Sequence, residues 1–516
     1  MSLKRSLVLA AVSTSIVTAA HGEALRATIH LKENVSMEEL ADSVRTPGSP
    51  HYGQPYTPEE ILKLAGPSES DYQNTIQQLR SEGFKIVGES KTHLWLSVHG
   101  SSENFARVFQ AEFNRDEKGQ RVLKSSAKTP VAMYMIDSIG GLENRRKARP
   151  HYHLQAENLH PLRRSRKPTS IPGIPVATIK TVYGFDGIYS AGVDGSGQHI
   201  AIATYNDFNL SDVQSAYTQL KISPLPVVDK VQFNGVPPSD ENSAVETQLD
   251  TEFSGMMAPG ANIHVFSSAT NDDAGELAMF TAILDDNRAK VVNYSWGSCE
   301  SQVSPQHAQD MAKVYAQAVA QGVNILVASG DSGSDGCQDG TTMADWPASN
   351  PNVVAVGGTT LQVQGSSGSE TAWSNSGGGI STMYASPSYQ SNYGIQSSGR
   401  SFPDVSFNAD PKSGQAVYAH SNGKVGWMVI GGTSMAAPQW AGFLALVNNA
   451  RAAKNLSTLG ALNPLIYSVS SSQATSLFND VTSGSDGAFS AGVGYDSVTG
   501  LGSMKAQALL NFLVVQ

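Results

Sequence analysis

The sequence predicts an α/β rear domain with a parallel central sheet flanked by helices, preceded by a smaller α+β domain. Three observations carry this. From about Ile171 onward, short apolar strands alternate with helical stretches, the pattern of a sheet covered on both faces. Residues 25–135 mix period-two runs with separate amphipathic helices. Between the two, Asn144–Pro168 carries basic clusters and prolines with no apolar periodicity, and reads as an exposed, cleavable linker.

In the front part, Leu25–Leu31 and Leu94–Val98 read as strands. Met37–Val44, Pro58–Lys63 and Glu69–Gly83 read as helices, the last opened by Pro67-Ser68-Glu69-Ser70. In the rear part the expected strands are His199–Thr204, Asn262–Phe266, Lys290–Tyr294, Asn324–Ala328, Val353–Val356 and Val425–Ile430. The helices between them are Leu210–Leu220, Ser243–Met257, Ala274–Asp285 and Ala308–Gln321. Ahead of everything, Lys4 and Arg5 precede an apolar stretch Leu7–Ala20 and small residues, an export signal over 1–22. The domain reading is therefore 1–22 signal, 23–143 front domain, 144–170 basic linker and 171–516 rear domain.

Composition narrows the function. The 516 residues hold 35 Lys plus Arg against 45 Asp plus Glu, a net charge of −10 that argues against nucleic acid as main partner. Two cysteines exclude a disulfide-dense scaffold and CxxC zinc clusters. No later segment offers 18 uncharged apolar residues, so no membrane anchor is expected. Export to an oxidising compartment, extracellular or periplasmic, favours a Cys299–Cys337 bridge over a buried free pair. Charge is unevenly shared: residues 1–170 hold 23 Lys/Arg and 18 Asp/Glu, the remainder 12 and 27. A basic front on an acidic rear suggests two parts that attract until acid protonates the carboxylates.

The strongest chemical signal is Gly431-Gly432-Thr433-Ser434-Met435-Ala436-Ala437-Pro438, a joint between an apolar strand and a helix. A serine at a helix N-terminus lies beside free backbone N–H groups, and Pro438 is tolerable only near a helix start. The plain alternative is a glycine joint with a capping serine. The string resembles the serine motif of the subtilisin clan, whose usual base is a histidine in an His-Gly-Thr-like context. His199, His264, His307 and His420 all lack that context. Carboxylates are the other candidates for a base. Glu246 and Asp250 stand at i and i+4 beside the stripe Val245, Leu249, Phe253 and Met256, where two carboxyls repel unless they share a proton. A capping box of Ser243 with Glu246, and a solvated Asp250, would fit the same spacing. Asp331 follows the strand Asn324–Ala328, at the strand end where open α/β sheets gather ligands. Gly330-Asp331-Ser332-Gly333 mimics a trypsin-type serine motif, but the alternation of strands and helices rules out an all-β domain.

Together these stretches resemble the sedolisin, or serine-carboxyl peptidase, family. The matching residues are Glu246–Asp250 continuing to Ala258-Pro259-Gly260-Ala261, then Ser295-Trp296-Gly297, Ser329–Ser334 and Gly431–Pro438. Ser49-Pro50-His51-Tyr52-Gly53 with Thr57-Pro58-Glu59-Glu60 looks like that family's pro-kumamolisin-type activation prodomain. The cysteine pair and simple architecture point to its pseudomonalisin-like branch. The resemblance implies a subtilisin-like fold and a secreted proenzyme acting on polypeptides at acid pH. It implies Ser434 as nucleophile, Glu246 as general base, Asp250 sharing the Glu246 proton and a protonated Asp331 as oxyanion donor. A glutamate with a reference pKa of about 4.3 suits acid. Ser295, Trp296 and Gly297 would contact substrate, and the propeptide would act as intramolecular inhibitor and folding aid on a monomer. One structural Ca2+ would sit on Asp480, Asp496 and the carbonyls of Val481, Gly492 and Gly494, among glycine turns that make a hard oxygen cage. The rival readings are a His-dependent subtilisin-like protease and an inactive homologue that only binds.

Overall fold

The structure, a computed structural model, describes residues 22–161, 171–421 and 423–516. The expected export signal, save Gly22, and the basic run Arg163–Lys167 lie outside the described residues. The front domain is an antiparallel sheet in the order Lys85–Glu89, Trp95–Ser101, Ala24–Leu31, Ile136–Gly140. Its helices start where the sequence supplies caps: Ser36, Ser68 and Ser101 each accept an N3 backbone N–H, and Thr57 with Glu60 forms a capping box. Tyr72, Ile76, Leu79, Phe105 and Phe109 close one face of this sheet over Leu25, Ile29 and Leu96. The helix Met37–Arg45 turns its apolar side onto the rear helix Pro305–Ala320. Ser138 donates to Asp310 at 2.7 Å and Lys313 to Asp137 at 2.5 Å across the same boundary.

The rear domain is built on strands in the order Val227–Val231, Asn262–Ser267, His199–Thr204, Val291–Tyr294, Asn324–Ala328, Val354–Gln364, Val405–Asn408, Ser503–Met504, all parallel, with Phe478–Asn479 antiparallel at the edge. The apolar runs of the inner strands His199–Thr204, Val291–Tyr294, Asn324–Ala328 and Val405–Asn408 are buried on both faces, as a parallel sheet requires, while the edge strand Val227–Val231 is largely exposed. Helices Glu241–Met257 and Thr433–Ala452 pack together so closely that a Cβ on Gly442 would meet Met257 Cβ at 2.5 Å. That approach sets the nucleophile's helix against the carboxylate helix. Among the described residues no helix is long and apolar enough to cross a membrane.

Two expectations are corrected. Val425–Ile430 is not a strand of the central sheet: Lys424–Gly431 pairs antiparallel with Gln415–Ser421 and with His153–Pro161. A buried apolar run reads alike in parallel sheets and hairpins, so periodicity alone does not separate them. The linker is not simply exposed either. Arg146 and His151 are each only 2% exposed, and Arg149–Pro150 pairs antiparallel with Trp296 and Gly297. Basic composition predicts solvent exposure only where no acidic groove receives it, and here the rear domain offers one.

Candidate active site

Four sequence-predicted residues come together beneath the linker. Ser434 opens the helix Thr433–Ala452, which Gly432 enters at φ 116°, a conformation that favours glycine. A Cβ there would also lie 2.3 Å from the His151 carbonyl oxygen and 2.6 Å from Asp331 Oδ2, so these two oxygens flank one face of Gly432. The Ser434 backbone N–H donates to the His151 carbonyl at 2.9 Å. Its hydroxyl donates to the Ser295 carbonyl at 3.3 Å and accepts from the His151 N–H at 3.1 Å. Pro438 stands inside that helix, where it has no N–H to give the Ser434 carbonyl one turn earlier.

Glu246 and Asp250 are fully buried on the helix Glu241–Met257. Asp240 caps that helix by accepting the Ser243 N–H at 2.8 Å, so the capping-box alternative for Glu246 falls away. Asp250 Oδ1 accepts from Ser295 Oγ at 2.7 Å, and Glu246 faces Asp250 and the Ser434 hydroxyl. Burial, then the Asp250 charge, holds the Glu246 pKa well above the carboxylate range, and the nearby Ser434 hydroxyl offsets this only in part. Burial raises Asp250 as well.

Asp331 follows its strand as the sequence predicts. Its Oδ1 accepts from the Thr433 N–H and the Thr433 hydroxyl, both at 2.8 Å, while Oδ2 stays buried without a hydrogen bond. Burial pushes its pKa up to about 8. A neutral carboxyl here keeps an O–H to donate.

Ser295, Trp296 and Gly297 form an edge for the linker. His151 N–H donates to the Ser295 carbonyl at 3.2 Å, and Pro150 and Arg149 pair with Trp296 and Gly297. A Cβ at Gly297 would meet His151 Nε2 at 2.4 Å, so glycine makes room for that ring. Burial lowers the His151 pKa to about 3, which keeps the ring neutral. Cys299 and Cys337 are bridged, joining this edge to the Asp331 loop.

Sequence reasoning missed Asn293, which donates to Ser295 Oγ at 3.1 Å, Thr433, which clamps Asp331, and His151 itself. Thr433 lies inside the Gly431–Pro438 motif; His151 could be found only by knowing the linker's path. The four rear-domain histidines stand elsewhere: His199 bonds His264, His264 bonds Asp229, His307 bonds Glu276 and His420 bonds Asp212.

Near the C-terminus, Asp480 Oδ2 accepts from Gly494 N–H and Asp496 Oδ2 from Gly492 N–H, each at 3.0 Å. Asp480 Oδ1 is buried without a partner, an oxygen that suits a hard cation. Val481 is buried beside it. Among the described residues no group of three or more His, Cys, Asp or Glu side chains is arranged to hold a metal, so such a site would lean on carbonyls.

The comparisons agree with this geometry. Residues 13–145 match the pro-kumamolisin activation domain, and residues 240–488 match the subtilase family. Kumamolisin of Bacillus sp. (strain MN-32) is 34% identical over 78% of this chain and 75% of its own length. Sedolisin of Pseudomonas sp. (strain 101) is 28% identical over 94% and 86%, and tripeptidyl-peptidase 1 of Canis lupus familiaris 28% over 95% and 92%. These identities do not single out the pseudomonalisin-like branch. The solved Pseudomonas sedolisin, complexed with two molecules of pseudo-iodotyrostatin, superposes with TM-score 0.58 over 67% of this chain and 99% of its own. Fervidolysin from Fervidobacterium pennivorans shares the fold at TM-score 0.50 and 13% identity, over 96% of this chain and 62% of its own. A buried serine among three carboxyls, an activation domain in front and these relatives place the chain in the sedolisin family of serine-type peptidases.

Proposed function

We propose that this chain is the proenzyme of a secreted, acid-acting serine-carboxyl endopeptidase whose first substrate is its own His151–Tyr152 bond. The observation that supports it most is the linker's path: a carbonyl on the Ser434 N–H, with chain paired antiparallel on both sides. Chain continuing both ways from the reacting carbonyl is how an endopeptidase holds substrate.

In this reading Ser434 Oγ attacks the His151 carbonyl carbon and its proton passes to the Glu246 carboxylate, with Asp250 sharing that proton. The oxyanion is held by the Ser434 N–H and the neutral Asp331 carboxyl, a donor that exists only while Asp331 keeps its proton. Collapse of the tetrahedral intermediate breaks the C–N bond, the Tyr152 amine leaves with the proton from Glu246, and water then hydrolyses the acyl-enzyme by the same steps. The working range is acid. Asp331 must stay neutral, and the burial that lifts it to about 8 lessens once the propeptide leaves. Propeptide, nucleophile and carboxyls belong to one chain, so a monomer suffices. A Ca2+ on Asp480, Asp496 and the carbonyls of Val481, Gly492 and Gly494 would pin the C-terminal segment, and the buried Asp480 Oδ1 favours it. The charged and apolar N-terminus and the Cys299–Cys337 bridge favour export.

Acidifying the purified full chain tests this. Mass spectrometry should find a new N-terminus at Tyr152 and casein should be digested. A Ser434→Ala chain should remain full length. Processing at an unrelated bond, or by the Ser434→Ala chain, would remove the assignment.

A further inference from the structure

Beyond the reacting bond, the linker fills a second built pocket. Arg146 stands five residues ahead of His151, and its guanidinium is seated in the rear domain. Nε donates to Asp273 Oδ1 at 2.9 Å, Nη2 bonds Glu276 Oε2, and His307 Nε2 lies 3.2 Å from Nη2. The guanidinium carbon sits 4.9 Å from the Trp346 ring centre, a cation–π placement. Tyr294 donates to the other Glu276 oxygen at 2.8 Å, fixing that carboxylate. Asp273, Glu276 and His307 are buried, and Arg146 is 2% exposed. Two carboxylates and an aromatic face around one planar cation match arginine better than lysine, because the fork satisfies both acids at once.

The partners of this guanidinium, Asp273, Glu276, His307 and Trp346, all belong to the rear domain, so they remain when the propeptide departs and two acids are left without their cation, a state that favours refilling. The backbone between pocket and reacting bond is held by its own N–H and carbonyl groups, with the Lys147 and Arg149 side chains adding contacts to Asn271 and Gly336. Asn271 pairs with both the N–H and the carbonyl of Ala148, at 2.9 and 2.7 Å, and Arg149 and Pro150 join the Trp296 edge. One continuous track therefore fixes the spacing from Arg146 to the scissile carbonyl.

We propose that the Asp273–Glu276–Trp346 pocket is a guanidinium subsite of the mature enzyme, selecting polypeptides with arginine at the sixth residue before the cleaved bond. This rests on the endopeptidase reading, with His151–Tyr152 as the first bond cut.

The test uses enzyme matured from the full chain and the acetylated, fluorescent product peptide Arg-Lys-Ala-Arg-Pro-His, alongside versions with citrulline or lysine first. Binding is read by anisotropy and needs no turnover. Citrulline should weaken binding at least tenfold, with lysine between, and the gap should collapse in Glu276→Gln; Asp273→Asn serves if that variant does not fold. Equal affinity of the arginine and citrulline peptides overturns the subsite. Cleavage of the same peptides extended through Tyr is measured in parallel. Arginine-dependent binding without hydrolysis supports the pocket and sinks the catalytic assignment, whereas hydrolysis indifferent to citrulline sinks the pocket alone.

Discussion

The Ser434 backbone N–H meets the His151 carbonyl oxygen at 2.9 Å, so the chain's own linker stands where the proposed mechanism would place a substrate. Inhibition and readiness to react are then the same contact, and what governs the protons around it governs activation.

Kinetics should separate the carboxyls. Asp331→Ala should lower kcat by about 10²–10³, the usual loss for one oxyanion donor, with little change in KM. Glu246→Gln, which keeps the side chain's size, should lower kcat by roughly 10²–10⁴. Substrate reburies the cleft as the linker does, so the alkaline limb of kcat should lie above that of kcat/KM. Full activity of either variant in a steady-state assay would contradict the roles of donor and base.

His151 should act as an acid-sensitive catch. Its folded pKa of about 3 lies below the reference value of about 6.5, so the docked linker binds fewer protons than the free one. Docking is complete above about pH 6.5 and weakens as pH falls toward 3. In the Ser434→Ala chain, hydrogen exchange of residues 144–153, corrected for intrinsic rates, should rise over that window. His151→Phe, which cannot take up a proton, should flatten the rise.

The rear domain should respond with the opposite sign. The Asp331 and Asp345 pKa values are raised by burial to about 8 and about 7, and Glu246 and Asp250 also rise. A raised carboxyl stabilises the folded state fully below its unfolded pKa near 4, and that contribution is lost as pH climbs through the folded value. The Tm of the Ser434→Ala chain should therefore fall between about pH 5 and pH 8. A Tm that climbs across that interval would contradict the burial argument.

Calcium should raise stability by mass action, about 2.7 kcal/mol at a hundredfold excess over Kd. A strong chelator should lower the Tm by several degrees. Asp480→Asn should remove the response to added calcium while leaving the chelated Tm nearly unchanged.

Much of this was legible in the residues. His199–Thr204 and Asn324–Ala328 fall on their strands to the residue, because short apolar runs between helices have few other readings. Ser434 stands out by its strand-to-helix joint, but spacing alone leaves Glu246 and Asp250 open to a capping box and a solvated helix position, and only the resemblance to the sedolisin family groups them with Asp331 and Ser434. Long-range events escape. Nothing local tells that Lys424–Gly431 pairs with the linker, or that Arg146 leaves solvent for Asp273 and Glu276, since both depend on partners more than a hundred residues away. Glu246 likewise shows its i and i+4 neighbour in the sequence, but not that every side of it is closed.

The strand His153–Pro161, annealed along Lys424–Gly431, has a consequence for timing. Cutting the His151–Tyr152 bond frees an amine but releases no strand, because that segment remains zipped to the hairpin behind the nucleophile. The clipped molecule is thus severed yet still corked on the leaving-group side, and full opening waits on a second event that peels or trims this newborn terminus.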